Sequence, residues 1–189
     1  DGDNEGLGLR DQDVQVRLSR ADKQMAFEVV LQTSTITDTK HGFVVGLWEN
    51  AATTATAPIA AAGTLTDLNF VGFHRLEGDG DKLDLVYKAN GVTQVTNLAD
   101  AVTLAAATDV RLGMTYNPAI DFDRSQRYIF RWWLNGQPIA GLSYKQVPSA
   151  DGTDFPNDIH LGFLFMLLNA AGSSPGTVLL KRLRYGQEF

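Results

Sequence analysis

Two stretches decide the fold: YIFRWWLN, residues 128–135, and LGFLFMLL, residues 161–168. Successive side chains of a β-strand point to opposite faces. Read at that period, Tyr128, Phe130, Trp132 and Leu134 share one face of the first stretch, leaving Ile129, Arg131 and Trp133 on the other. In the second stretch one face carries Leu164, Met166 and Leu168. Both strands are therefore apolar front and back. A two-layer sandwich buries one face of each sheet, so the surplus face needs a cover: a loop, the N-terminal segment or another chain. Five such side chains are worth about 8–15 kcal/mol when buried, comparable to the net stability of a whole domain. Either the chain closes over them itself, or they form an interface. On the second reading Arg131, Trp133, Leu164 and Met166 are the candidate partner-binding residues, with Trp133 and Arg131 as the aromatic and charged anchors that interfaces favour.

The same period runs outward from these two stretches. Met25, Phe27, Val29 and Leu31 alternate with Ala26, Glu28 and Gln32, the mark of a half-buried strand. GFVVGLWEN (42–50) is apolar on both sides and reads as a deep strand. NFVGFHRL, the turn GDGD (78–81) and KLDLVYK form a hairpin, Asn90-Gly91 opens another turn, and RYIFRWWLNGQPIAGL folds back about Asn135-Gly136. TYNP precedes the tryptophan strand, and TVLLKRLRYG (177–186) closes the chain after a Gly-Ser-Ser-Pro-Gly connection. Residues 51–67, rich in Ala and Thr and interrupted by Pro58, read as a long excursion rather than a main strand. NLADAVTLAAAT (97–108) is the one candidate helix, although VTL would equally continue a strand. The expected fold class is all-β, roughly nine to twelve strands in an antiparallel two-sheet sandwich with at most one short helix. Residues 1–22, where only VQVRL (14–18) alternates, read as an N-terminal arm, and 23–189 as a single sandwich domain.

Composition narrows the function. With 189 residues, 44% of them hydrophobic, the chain can build a full core, and having no cysteine it lacks thiol catalysis, disulfides and thiolate metal sites. A net charge of -6 disfavours general binding to nucleic acid or anionic membranes, so neither is expected as a partner. The longest apolar run, 161–168, is too short to cross a bilayer, and the opening DGDNEG is neither cationic nor apolar as a leader would be.

In their order along the chain, FEVVLQ, GLWEN, GFHRLEGDGDKLDL, TYNP with IFRWWLNGQPI, and VLLKRLRY resemble the concanavalin A-like (laminin-G-like) jelly-roll fold over about residues 21–189. The resemblance implies that the first and last strands pair, setting residues 25–33 beside 177–186. An acidic, cysteine-free, Ala/Thr-rich sandwich with a polar arm also resembles in style the decoration or cement proteins of tailed-phage capsids.

Concanavalin-like folds include glycoside hydrolases, whose two carboxylates project from one strand face, commonly as Glu-x-Asp-x-x-Glu. None of the five glutamates, Glu5, Glu28, Glu49, Glu77 and Glu188, stands in such a pattern, so no catalytic residue is assigned and the protein is read as a non-enzyme. His41, His74 and His160 are scattered, without nucleophile-elbow or metal spacing, and read as structural strand histidines. Calcium is the one metal the sequence suggests: Asp1-Gly2-Asp3-Asn4-Glu5-Gly6 imitates half an EF-hand loop, and Asp79, Asp81, Asp121 and Asp123 sit in acidic turns. Gln12 stands where the loop needs glutamate, so no cofactor is expected. The basic run Lys181, Arg182, Arg184, with Arg131, reads as a solvated face that also guards an edge strand. The expected function is a structural capsid decoration or cement protein on a virion, self-associating and bound to the major capsid protein through its arm and an apolar sheet face. The alternative is a secreted or cell-surface carbohydrate-binding lectin-like module that stacks Trp133 or Trp48 on a sugar ring.

Overall fold

β-branched and aromatic residues at period two leave this chain nothing to form but sheet, and the computed structural model is built from thirteen strands with no helix among its described residues. Those residues are 6–11, 15–18, 24–37, 41–49, 59, 65–66, 68–76, 78–117, 129–139, 145–146, 155–156, 159–169 and 176–188. In chain order the strands are β1 (Gly6–Arg10), β2 (Val16–Arg17), β3 (Met25–Thr33), β4 (His41–Glu49), β5 (Phe70–Arg75), β6 (Lys82–Lys88), β7 (Val95–Thr103), β8 (Asp109–Asn117), β9 (Ile129–Leu134), β10 (Gln137–Pro138), β11 (Lys145–Gln146), β12 (His160–Asn169) and β13 (Val178–Gln187).

They make two antiparallel sheets. One runs β1-β12-β4-β5-β6-β7, with β2 also on β12; the other runs β10-β9-β8-β3-β13, with β11 also on β9. The expected pairing of the first long strand with the last is present: β3 and β13 are joined from Thr33↔Val178 to Met25↔Gln187. The hairpins fall where the glycines predict them. Asn135 and Gly136 take φ of 51° and 80°, the two positive values a tight β9–β10 turn needs.

Between the sheets lies one core. Phe27, Val29, Leu112, Met114, Phe130 and Trp132 come from the β8–β9 sheet and meet Phe43, Leu47, Phe73, Leu85, Phe163 and Phe165 from the other. Trp132 and Phe73 meet edge to face across the interface, ring centroids 5.3 Å apart. The surplus apolar face of the β12 sheet has its own cluster, in which Val44, Trp48, Phe70, Leu164, Met166 and Leu168 are buried. The Ala/Thr excursion supplies its cover: Ile59, 2% exposed, lies in this cluster, Leu65 packs against it, and the two are joined by an isolated bridge.

Two readings of the sequence change. The helix expected over 97–108 is absent: 95–103 form β7, because Leu98 and Val102 pack onto the core while Leu83 and Leu85 offer ladder partners. Tertiary pairing overrides the helix preference of Ala and Leu here. Residues 6–10 and 16–17, inside the segment read as an arm, are strands on β12, and Val16 and Leu18 are core residues.

Candidate functional site

The outer face of the β13-β3-β8-β9 sheet is hollowed into a groove of about 910 Å³, within the size range of small-ligand sites. Cross-strand register explains the hollow. One row across the four strands is Gly186, Ala26, Thr115 and Arg131; the next is Arg184, Glu28, Gly113 and Trp133. Three of these outward positions carry almost no side chain, so the floor drops to the backbone while long residues rise on either side.

Trp133 is half-buried and its indole leans over Gly113, where an added Cβ would stand 3.3 Å from the tryptophan Cβ. The indole Nε1–H donates to the Thr115 hydroxyl at 3.0 Å, which ties the ring across two positions of β8. A ring satisfied at its polar edge and partly exposed is a stacking platform for an apolar ligand face. Arg131 stands one outward position away on the same strand, opposite Thr115. Glu28 is engaged from both sides: Arg111 Nε donates to its carboxylate at 2.5 Å and Arg182 approaches at 2.8 Å. Its oxygens are taken up by guanidinium groups rather than turned to a substrate.

Of the four residues singled out as partner-binding, the structure brings Arg131 and Trp133 together in this groove. Leu164 and Met166 lie on the outer face of the other sheet, 2% and 7% exposed within the cluster that also holds Ile59. The Ile129 side chain lies outside the described residues. Trp48 is buried in that second cluster, so the sugar-stacking alternative rests on Trp133 alone. Sequence reasoning passed over Ala26, Gly113, Thr115 and Gly186, which matter only once four strands are in register.

The histidines are apart: His41 and His74 are buried and His160 is exposed. Among the described residues no three His, Asp or Glu side chains gather in a way that could hold a metal ion. Asp79 accepts the Leu76 N–H at 3.3 Å and Asp81 pairs with Lys82 at 3.3 Å, both inside the β5–β6 turn. The EF-hand-like opening, apart from Gly6, and Asp121 and Asp123 lie outside the described residues.

Among solved structures the chain is similar to the carbohydrate recognition domain of Emp46p in its metal-free form, 13% identical with a TM-score of 0.58, over 98% of this chain and 79% of that one. It is similar also to a legume lectin-like domain from Entamoeba histolytica, 13% identical, TM-score 0.55, over 100% and 81%. A third likeness is to an endo-β-1,4-glucuronan lyase from the fungus Trichoderma reesei, 14% identical, TM-score 0.53, over 97% and 73%. At these identities the likeness is one of fold: the chain is an all-β, concanavalin A-like, lectin-like sandwich. No protein-family model matches the sequence, and no curated protein sequence matches it either. The capsid-decoration expectation draws no support from these likenesses. Part of its physical motive also goes, since the apolar face of β12 is covered by the chain's own Ile59 and Leu65.

Proposed function

We propose that this protein is a non-enzymatic carbohydrate-binding module that takes its saccharide in the groove on the β8–β9 sheet. The observation that carries the reading is Trp133, its indole laid over Gly113 and tied to Thr115 at 3.0 Å, above a floor of glycine and alanine. A pyranose ring has one apolar face and a rim of hydroxyls. The indole suits the face, while Thr115 and Asn117, which line the groove, suit the rim. The fold also accommodates glycoside hydrolysis, but that needs a free pair of carboxylates, and Glu28 is held by two arginines. A secreted or cell-surface setting goes with this reading.

Two variants test it. Trp133→Ala removes the platform; Gly186→Leu plugs the groove at a position where an added Cβ meets no atom within 4 Å, so the sandwich keeps its stability. On a glycan array followed by calorimetry, the wild-type chain binds saccharide and each variant loses at least about tenfold in affinity. An unplugged response from Gly186→Leu, or a wild-type chain that retains no glycan, overturns the proposal.

A further inference from the structure

We propose that the saccharide is an anionic oligosaccharide, carrying carboxylate or sulfate groups, and that Arg184 reads its charge; this rests on the groove being the saccharide site. The chain as a whole is acidic, with a net charge of -6. This one face reverses that sign. Its strands present Arg111, Arg131, Lys181, Arg182 and Arg184 outward, and against these five cations the described residues set Glu28, Asp109 and, at the end of the groove, Glu188.

The anions are largely spoken for. Arg111 and Arg182 share Glu28, and Lys181 Nζ lies 2.5 Å from Asp109 Oδ1. Arg184 is in no ion pair among the described residues, is exposed, and lines the groove. It stands beside a carboxylate that two other guanidinium groups have already neutralised. A ligand oxygen arriving there meets an unshared positive charge rather than a negative one, and a guanidinium suits carboxylate and sulfate alike because its donors form a planar fork.

Geometry sets the ligand's length. Arg184 and Trp133 occupy one cross-sheet row, separated by Glu28 and Gly113 on the two strands between them. Three interstrand steps span about 14 Å. A ring stacked on Trp133 and an anion at Arg184 therefore belong to different units of one chain. Repeated charge along an oligosaccharide fits that row, and a monosaccharide does not reach across it.

The test compares saccharides of one backbone and linkage: cellotetraose, the matching β-1,4-linked tetraglucuronate, and sulfated cellotetraose, each titrated calorimetrically into the full chain at low and high sodium chloride. The expected result is tighter binding of an anionic form, a preference that shrinks as salt screens the exposed charge. Arg184→Gln lowers the anionic-over-neutral ratio by about fivefold and Arg184→Lys restores part of it. The carboxylate and sulfate arms separate the two sources of charge. Cellotetraose bound as tightly as its charged forms, with loss on Gly186→Leu, overturns this inference while leaving the saccharide groove standing; no binding of any saccharide, on the array or here, overturns both.

Discussion

His41 is the residue on which stability at acid pH turns. It is fully buried at the start of β4. The Thr33 hydroxyl donates to the Thr35 carbonyl oxygen at 2.7 Å, so toward His41, 3.1 Å away, it is free only to accept, and the imidazole carries its proton on Nε2. Nδ1 is buried without a hydrogen-bond partner, close to Gly176. Burial first, and then the positive charge of Arg75, which donates to the His41 carbonyl, lower the ring's pKa from 6.5 to about 4. In the unfolded chain the ring protonates as pH falls through 6.5; in the folded protein it resists until about 4. The unfolded state therefore binds more protons in that window, and stability is full above pH 6.5 and declines toward pH 4, by about 3 kcal/mol for this group. Asp84, whose carboxyl is pushed up by burial, acts with the opposite sign, stabilising at low pH and losing that contribution as pH rises above 3.8. Urea denaturation from pH 7.5 to pH 4.5 is expected to show the decline in the wild-type chain. It is expected to be flatter in His41→Gln, whose amide nitrogen reaches as far as Nε2 and keeps a donor toward Thr33; equal slopes would remove His41 as the cause.

At the scale of the element, β13 shows how one residue sets which face a strand offers. Val178 and Leu180 face the core, and the register then slips between Leu180 and Arg182, with Lys181 as the extra residue. Beyond the bulge the phase is reversed: Leu183 and Tyr185 face the core, while Arg182, Arg184 and Gly186 face the groove. Without the bulge the same alternation would drive two guanidinium groups into an apolar interior. Deleting Lys181 removes the extra residue and leaves 178–180 and 182–187 in one unbroken alternation, the arginines still outward, so the deletion is expected to fold with a melting temperature close to that of the wild-type chain. Lys181→Ala keeps the residue count and loses only the exposed pair with Asp109, about 0–1 kcal/mol. A deletion that melts far below Lys181→Ala would show that Lys181 is not simply the residue the bulge takes up.

At the scale of the molecule, the six-stranded sheet is closed late. β3 has two neighbours, β8 and β13, and the second lies at the far end of the chain. Until residues 178–187 are present, Met25, Phe27, Val29 and Leu31 have one ladder only, and the core lacks Leu183 and Tyr185. A chain ending at Thr177 is expected to lose cooperative thermal unfolding and to aggregate, because an uncovered strand invites pairing between copies. Circular dichroism melts and light scattering of the truncated chain check this; a sharp melt near that of the full chain would show that β13 is dispensable. The same topology, dominated by non-local antiparallel pairs, predicts refolding on the millisecond-to-second scale or slower.

What the sequence determined by itself is the alternation. Side-chain direction is a local consequence of an extended backbone, so Phe130 and Trp132 inside, Arg131 and Trp133 outside, and the doubly apolar β4 and β12 could all be read from one strand at a time. The Asn135-Gly136 hairpin is local in the same way, because only adjacent residues set its φ values. The groove is not local. Ala26, Gly113, Thr115 and Gly186 lie far apart in the chain, and each is unremarkable in its own strand; they become a floor only when register sets them beside Trp133 and Arg184. One trace of this was present in the sequence, the change of phase in VLLKRLRY, which marks the bulge that turns the arginines outward. Which cover lies on the second apolar face was equally undecided, since hydrophobic burial has no direction and Ile59, another chain or the N-terminal segment would each satisfy it. Tertiary structure alone selected Ile59 and Leu65 for that face, and left the face of Trp133 open.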